Sequence, residues 1–186
     1  MCFKLKDIIL LNSVEMIKFL FNISNATTSP TSAPRLDINY KDDDGYTALY
    51  YAIKYRNKNI VEFLISEGAD INVLIMESNT NILQYAAQHG TKEIVELLYD
   101  KIFNTTSPIS TPTLDINNKD LYGNTALHYA VRSKNKDIVK FLISNGADLN
   151  ITNFYGTTAL DIAKQSNKQE IIELLSEYQD RMIKPI

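Results

Sequence analysis

The feature that most constrains this chain is a register that keeps returning. Leu49, Leu83, Leu127 and Leu160 stand in the same local wording at spacings of 34, 44 and 33 residues. In step with them come Ala52, Ala86, Ala130 and Ala163, then the pairs Ile60-Val61, Ile94-Val95, Ile138-Val139 and Ile171-Ile172. A chain with such a period cannot gather around one central core. Each unit is a single supersecondary element that buries its apolar face only against its neighbours, so the register predicts a solenoid.

The clearest unit runs from Asp120 to Asn150. Asp120-Leu121-Tyr122-Gly123 reads as a tight turn, with Asp first and Gly fourth. Thr125 caps a first helix from Ala126 to Ser133, with Ala126, Leu127, Ala130 and Val131 on one face. Lys134 and Asn135 interrupt the pattern. A second stripe, Ile138, Val139, Phe141, Leu142 and Ile143, ends at Asn145-Gly146, where Gly closes the helix. This order, with the wording G-x-T-A-L-H-x-A, resembles the ankyrin repeat and its T-P-L-H-x-A signature. The resemblance implies an all-α solenoid of helix-turn-helix repeats with short hairpin fingers.

On this reading residues 1–186 form one ankyrin-like domain of five units. Residues 1–20 are a degenerate N-terminal cap, with Phe3 to Leu10 in place of a first helix. Residues 36–72 are the second repeat, 73–99 the third, 114–150 the fourth, and 151–186 the fifth with its C-terminal cap, whose last helix runs from about Gln169 toward Met182. Two Ser/Thr/Pro segments, 21–35 and 100–113, lack any period and read as exposed loops. Leu36-Asp37-Ile38-Asn39 recurs as Leu114-Asp115-Ile116-Asn117 at an offset of 78 residues, so the duplicated unit is a pair of repeats with its loop. The third repeat departs most. Its hairpin has no Gly and carries Asn81 where the others have Thr, and the junction there is expected to be the weakest.

A net charge of -3 gives no basic stripe, which argues against a nucleic-acid partner. Cys2 is the sole cysteine, and charged or polar residues such as Lys6, Asp7, Glu15 and Lys18 break the apolar N-terminus. Those features argue against a secretory leader and a membrane span, and for a location in the cytoplasm or elsewhere inside a cell, a host cell included.

No constellation makes a convincing active site, and no cofactor or metal is expected. His128 falls at the family's T-A-L-H position, which the resemblance assigns to bonds between repeats. Tyr50, Gln84 and Asp161 occupy that position elsewhere and imply an irregular network. His89 reads as a surface group. Asp42-Asp43-Asp44-Gly45 lacks the alternating ligands and distal Glu of a calcium loop and reads as a turn. Ser29-Pro30, Ser107-Pro108 and Thr111-Pro112 are solvated loop positions with phosphorylation as the alternative.

The resemblance implies a non-catalytic module, a monomer, that binds a protein partner through hairpin tips and the first-helix positions beside them. Those residues are Asp43, Asp44, Tyr46, Lys54 and Tyr55; Leu74, Ile75, Met76, Gln88 and His89; Leu121, Tyr122, Asn124 and Arg132; and Phe154, Tyr155 and Gln165. Large apolar side chains are unexpectedly frequent among them. The alternatives are the target-recognition part of an adaptor or host-directed effector and, in a different class, an enzyme.

Overall fold

The computed structural model describes residues 17, 37–75, 78–103 and 115–183. Most of the cap, all of the Ser/Thr/Pro segment 21–35, most of the segment 100–113 and Met76 lie outside them. Ile17 is helical and fully buried. Two compact units are present, Met1–Ile71 and Asn72–Ile186.

In the first unit, α1 (Ala48–Lys54) and α2 (Lys58–Ser66) pack together. The Thr47 hydroxyl caps α1 by accepting from the Tyr50 amide at 3.3 Å, and Asn57 caps α2 through the Ile60 amide at 3.0 Å. Asn39 folds back on the end of its own repeat. Its amide group donates to the Gly68 carbonyl and its oxygen accepts from the Asp70 amide at 2.8 Å.

The second unit holds β1 (Leu74–Ile75) and β2 (Thr80–Asn81), α3 (Ile82–His89), α4 (Lys92–Phe103), α5 (Ala126–Arg132), α6 (Lys136–Ser144), α7 (Ala159–Gln165) and α8 (Gln169–Ile183). The strands pair antiparallel, Leu74 opposite Asn81 and Ile75 opposite Thr80. First helices pack in the order α3, α5, α7, and second helices in the order α4, α6, α8. The returning register is the core of both units. Ala52, Ala86, Ala130 and Ala163 have no exposed surface, and neither do Ile60-Val61, Ile94-Val95 and Ile138-Val139. A methyl group at the first-helix contact lets neighbouring helices approach closely, while the Ile-Val pairs fill the layer behind. Asn117 makes the same two bonds as Asn39, to Gly146 and Asp148, so the segment duplicated at an offset of 78 performs one task twice.

Two boundaries differ from the sequence reading. Helix α4 continues through Asp100, Lys101, Ile102 and Phe103, the first residues assigned above to a loop. The reason is packing: Ile102 is buried four residues after Leu98, and Phe103 rests against Tyr99 at 4.6 Å between ring centres. The third hairpin also has a complete cap. Asn81 accepts from the Gln84 amide at 2.8 Å while Gln84 Oε1 accepts from the Asn81 amide at 2.8 Å. Asn79 supplies the positive φ, 50°, that Gly45, Gly123 and Gly156 supply elsewhere.

Candidate partner-binding surface

The hairpins of the second, fourth and fifth repeats are each held by one side chain at the base. Asp120 Oδ1 accepts from the Tyr122 and Asn124 amides at 2.9 and 2.8 Å, and its second oxygen accepts from the Tyr129 hydroxyl. Burial, and then the bond to Asp120, pushes the Tyr129 hydroxyl pKa up. Asp42 does the same in the first unit through the Asp44 and Tyr46 amides and the Tyr51 hydroxyl. Asn153 holds the fifth hairpin through the Tyr155 and Thr157 amides. The acidic run at Asp42 is therefore a folded turn. Among the described residues no group of three or more His, Cys, Asp or Glu could hold a metal.

Two kinds of bond recur at both repeat junctions of the second unit, and each runs in a fixed direction. The later hairpin donates a backbone amide to the earlier one: Leu121 to the Ser78 carbonyl, and Phe154 to the Tyr122 carbonyl, each at 3.0 Å. The earlier first helix donates a side-chain N–H to the later hairpin. Gln84 Nε2 reaches the Asn118 and Asn124 carbonyls at 2.6 and 3.0 Å, and His128 Nε2 reaches the Thr157 carbonyl at 3.2 Å. His128 Nδ1 accepts from the Thr125 amide at 3.1 Å, which places the ring proton on Nε2. Burial, followed by the cations Arg132 and Lys119, holds this histidine below its ordinary pKa. Gln84 and His128 thus differ in chemistry and make the same connection, whereas the described bonds of Asp161 are all to Thr158 in its own cap. Lys168 adds a further tie between the fourth and fifth repeats, donating to the Val131 and Arg132 carbonyls at 2.5 and 2.9 Å. Burial, then Lys134 and Arg132, lowers its pKa.

The side chains left over are the tips. Phe154 and Tyr155 are 71% and 73% exposed, Leu121 56% and Tyr122 47%. All four stand on adjacent hairpins joined by the Phe154–Tyr122 backbone bond. Leu74 is exposed and Ile75 half-buried at the strand pair, and the face beside the tips carries exposed Arg132 and Gln165 with half-buried Gln88 and His89. The His89 ring rests on Tyr85 at 4.5 Å. In the first unit Asp43, Asp44, Lys54 and Tyr55 are exposed.

Two expected surface residues are not placed as expected. Asn124 is only 2% exposed; its Oδ1 accepts from Asn153 Nδ2 at 3.0 Å, so it ties two hairpin bases together. Tyr46 is half-buried because its ring stacks on Tyr50 at 4.0 Å. Sequence reasoning passed over Tyr40, which is 61% exposed. Its amide follows the turn at Asp37, and no repeat motif draws attention to it.

Among the described residues no helix is long and apolar enough to cross a membrane.

A family profile described as ankyrin repeats, in three copies, matches residues 8–109, 73–153 and 108–184. An ankyrin repeat protein of Acanthamoeba polyphaga mimivirus is 39% identical over 111 residues, covering 60% of this chain and 13% of its own length. Another, from Fowlpox virus (strain NVSL), is 34% identical over 112 residues, 60% of this chain and 23% of its own. An L-asparaginase of Dirofilaria immitis is 31% identical over 108 residues, 58% of this chain and 16% of its own. The chain spans less than a quarter of each of these relatives.

Proposed function

Because this chain belongs to the ankyrin repeat family, whose repeats are generally non-catalytic protein-protein interaction modules, we propose that it binds a protein partner through its hairpin tips. The observation that carries the reading is the division of labour on the fourth and fifth hairpins. Asp120, Asn124, Asn153, His128 and Lys168 are committed to holding the repeats. Among the described residues Leu121, Tyr122, Phe154 and Tyr155 make no side-chain hydrogen bond that joins repeats, and they stand exposed. A contiguous apolar patch of that kind marks a contact site, and aromatic anchors commonly contribute about 2 kcal/mol or more each when buried at an interface. Arg132 and Gln165 extend the surface along the first helices, with Gln88, His89, Leu74 and Ile75 beyond them. Asp43, Asp44, Lys54 and Tyr55 form a separate patch on the first unit. Asn124 is omitted because it is buried, and Tyr46 because its ring is engaged.

The chemistry also favours a module over an enzyme. His128 is spent on the repeat junction, and the stretch shared with the asparaginase is a small part of that protein. The two viral relatives favour a narrower version, in which the partner is a protein of a host cell.

The test is to change Tyr122, Phe154 and Tyr155 together to Ser, then compare melting and affinity for a partner captured with the unmodified chain. An unchanged melting temperature with affinity at least about a hundredfold weaker supports the tips, as loss of two or more anchors requires. Unchanged affinity moves the interface elsewhere.

A further inference from the structure

We propose that the face of the fifth repeat carrying the Tyr155 carbonyl, Leu160 and Asp161 is a second contact surface, selective for an extended protein segment that presents a backbone N–H and a basic side chain. The inference rests on the reading of this chain as a protein-binding module. Its starting point is the direction of the inner junctions. At both of them the earlier repeat offers one hairpin carbonyl, Ser78 or Tyr122, and one side-chain donor, Gln84 or His128.

The fifth repeat keeps the first feature and inverts the second. Tyr155 stands where Ser78 and Tyr122 stand, and no described residue donates to its carbonyl. Asp161 stands where Gln84 and His128 stand. Its Oδ2 takes both Thr158 bonds, from the amide at 2.9 Å and the hydroxyl at 2.7 Å, which leaves Oδ1 without a described partner. Those bonds hold the carboxyl below the ordinary carboxylate pKa, so it is charged at neutral pH. Leu160, the counterpart of Leu83 and Leu127 at 1% exposure, is half-exposed, and the Tyr155 side chain is exposed.

At the two positions that make the inner junctions, this face therefore offers acceptors. A further repeat of the inner kind would set a hairpin carbonyl against Asp161, oxygen against oxygen, with no proton between them. An extended strand donating its amide to Tyr155 and an Arg or Lys side chain to Asp161 satisfies both groups, and a β-branched neighbour covers Leu160.

The probe is an acetylated, amidated pentapeptide, Thr-Val-Arg-Val-Thr, titrated to millimolar concentration into the isotope-labelled chain by NMR, beside its counterpart with Glu for Arg. The expected result is amide shifts confined to the stretch from Phe154 to Asp161, produced by the Arg peptide and reduced by salt. D161N, which keeps an acceptor for Thr158, should bind the Arg peptide at least about tenfold more weakly, the loss of one charge-assisted bond. Equal response to the two peptides, no response to either, or shifts that survive D161N unchanged would overturn the inference. So would shifts centred on Tyr122 and Arg132; loss of partner binding in the triple-serine variant without peptide discrimination would leave the tip reading standing and this one refuted.

Discussion

The third and fourth hairpins spell their turns differently and are built alike. The fourth uses Gly123, Thr125 and His128; the third uses Asn79, Asn81 and Gln84. In each trio the first residue takes positive φ, the second opens a helix, and the third links cap to next repeat. The repeat selects for a donor or an acceptor at a position and is indifferent to which residue supplies it. That equivalence is why a hairpin that looks degenerate in the sequence is intact in the structure.

The sharpest way to break the equivalence is at the glycine. A Cβ on Gly123 would lie 2.8 Å from the Phe154 backbone nitrogen and 3.1 Å from the Asn153 carbonyl carbon, on a backbone of positive φ. Gly123→Ala should cost about 3 kcal/mol or more, from strain and from separating the hairpins. Asn79→Gly should shift stability by less than about 1 kcal/mol, because the two residues share that conformation. Chemical denaturation of both variants makes the comparison.

Next in size is the linker residue. Gln84→Ala strands the Asn81 amide and the Asn118 carbonyl, while the Asn124 carbonyl keeps the Asp120 amide, and should cost about 2 to 3 kcal/mol, whereas Gln84→His, which keeps an acceptor and a donor, should cost about 1 kcal/mol or less. Similar losses for the two would show that side-chain shape, not hydrogen bonding, holds the junction.

The smallest effect separates the junctions by pH. Folded His128 is neutral, buried, and takes a proton less readily than its ordinary value of 6.5 allows. Below that value the unfolded chain binds more protons, so stability should fall as pH drops through about 6.5 and below. Burial opposes the proton most, and Arg132 and Lys119 oppose it too, while the bond to the Thr157 carbonyl and the charge of Asp120 favour it. His128→Gln should remove that part of the acid dependence, measurable as melting temperature against pH. An unaltered profile would assign the dependence to carboxylates.

The repeat architecture was legible because a leucine, an alanine and an Ile-Val pair must return wherever a helix face meets its neighbour. Helix ends were less so: Ile102 follows Leu98 at helical spacing, yet the polar run after it draws the eye to a loop. The surface was legible at Leu121, Tyr122, Phe154 and Tyr155, whose neighbours Asp120 and Asn153 already account for the turns. It was not legible at Asn124. That asparagine lies one residue beyond the turn glycine, and its burial comes with bonds from Asn153 on the next hairpin and Gln84 on the previous repeat, 29 and 40 residues away.

Native-state hydrogen exchange puts the equivalence to its most direct test, since amides in α3 and α5 report the two repeats in one molecule. If the third repeat is held by the same bonds as the fourth, protection around Leu83 should match that around Leu127. Exchange around Leu83 that begins well before Leu127 opens would contradict it and restore the third hairpin as the weak point.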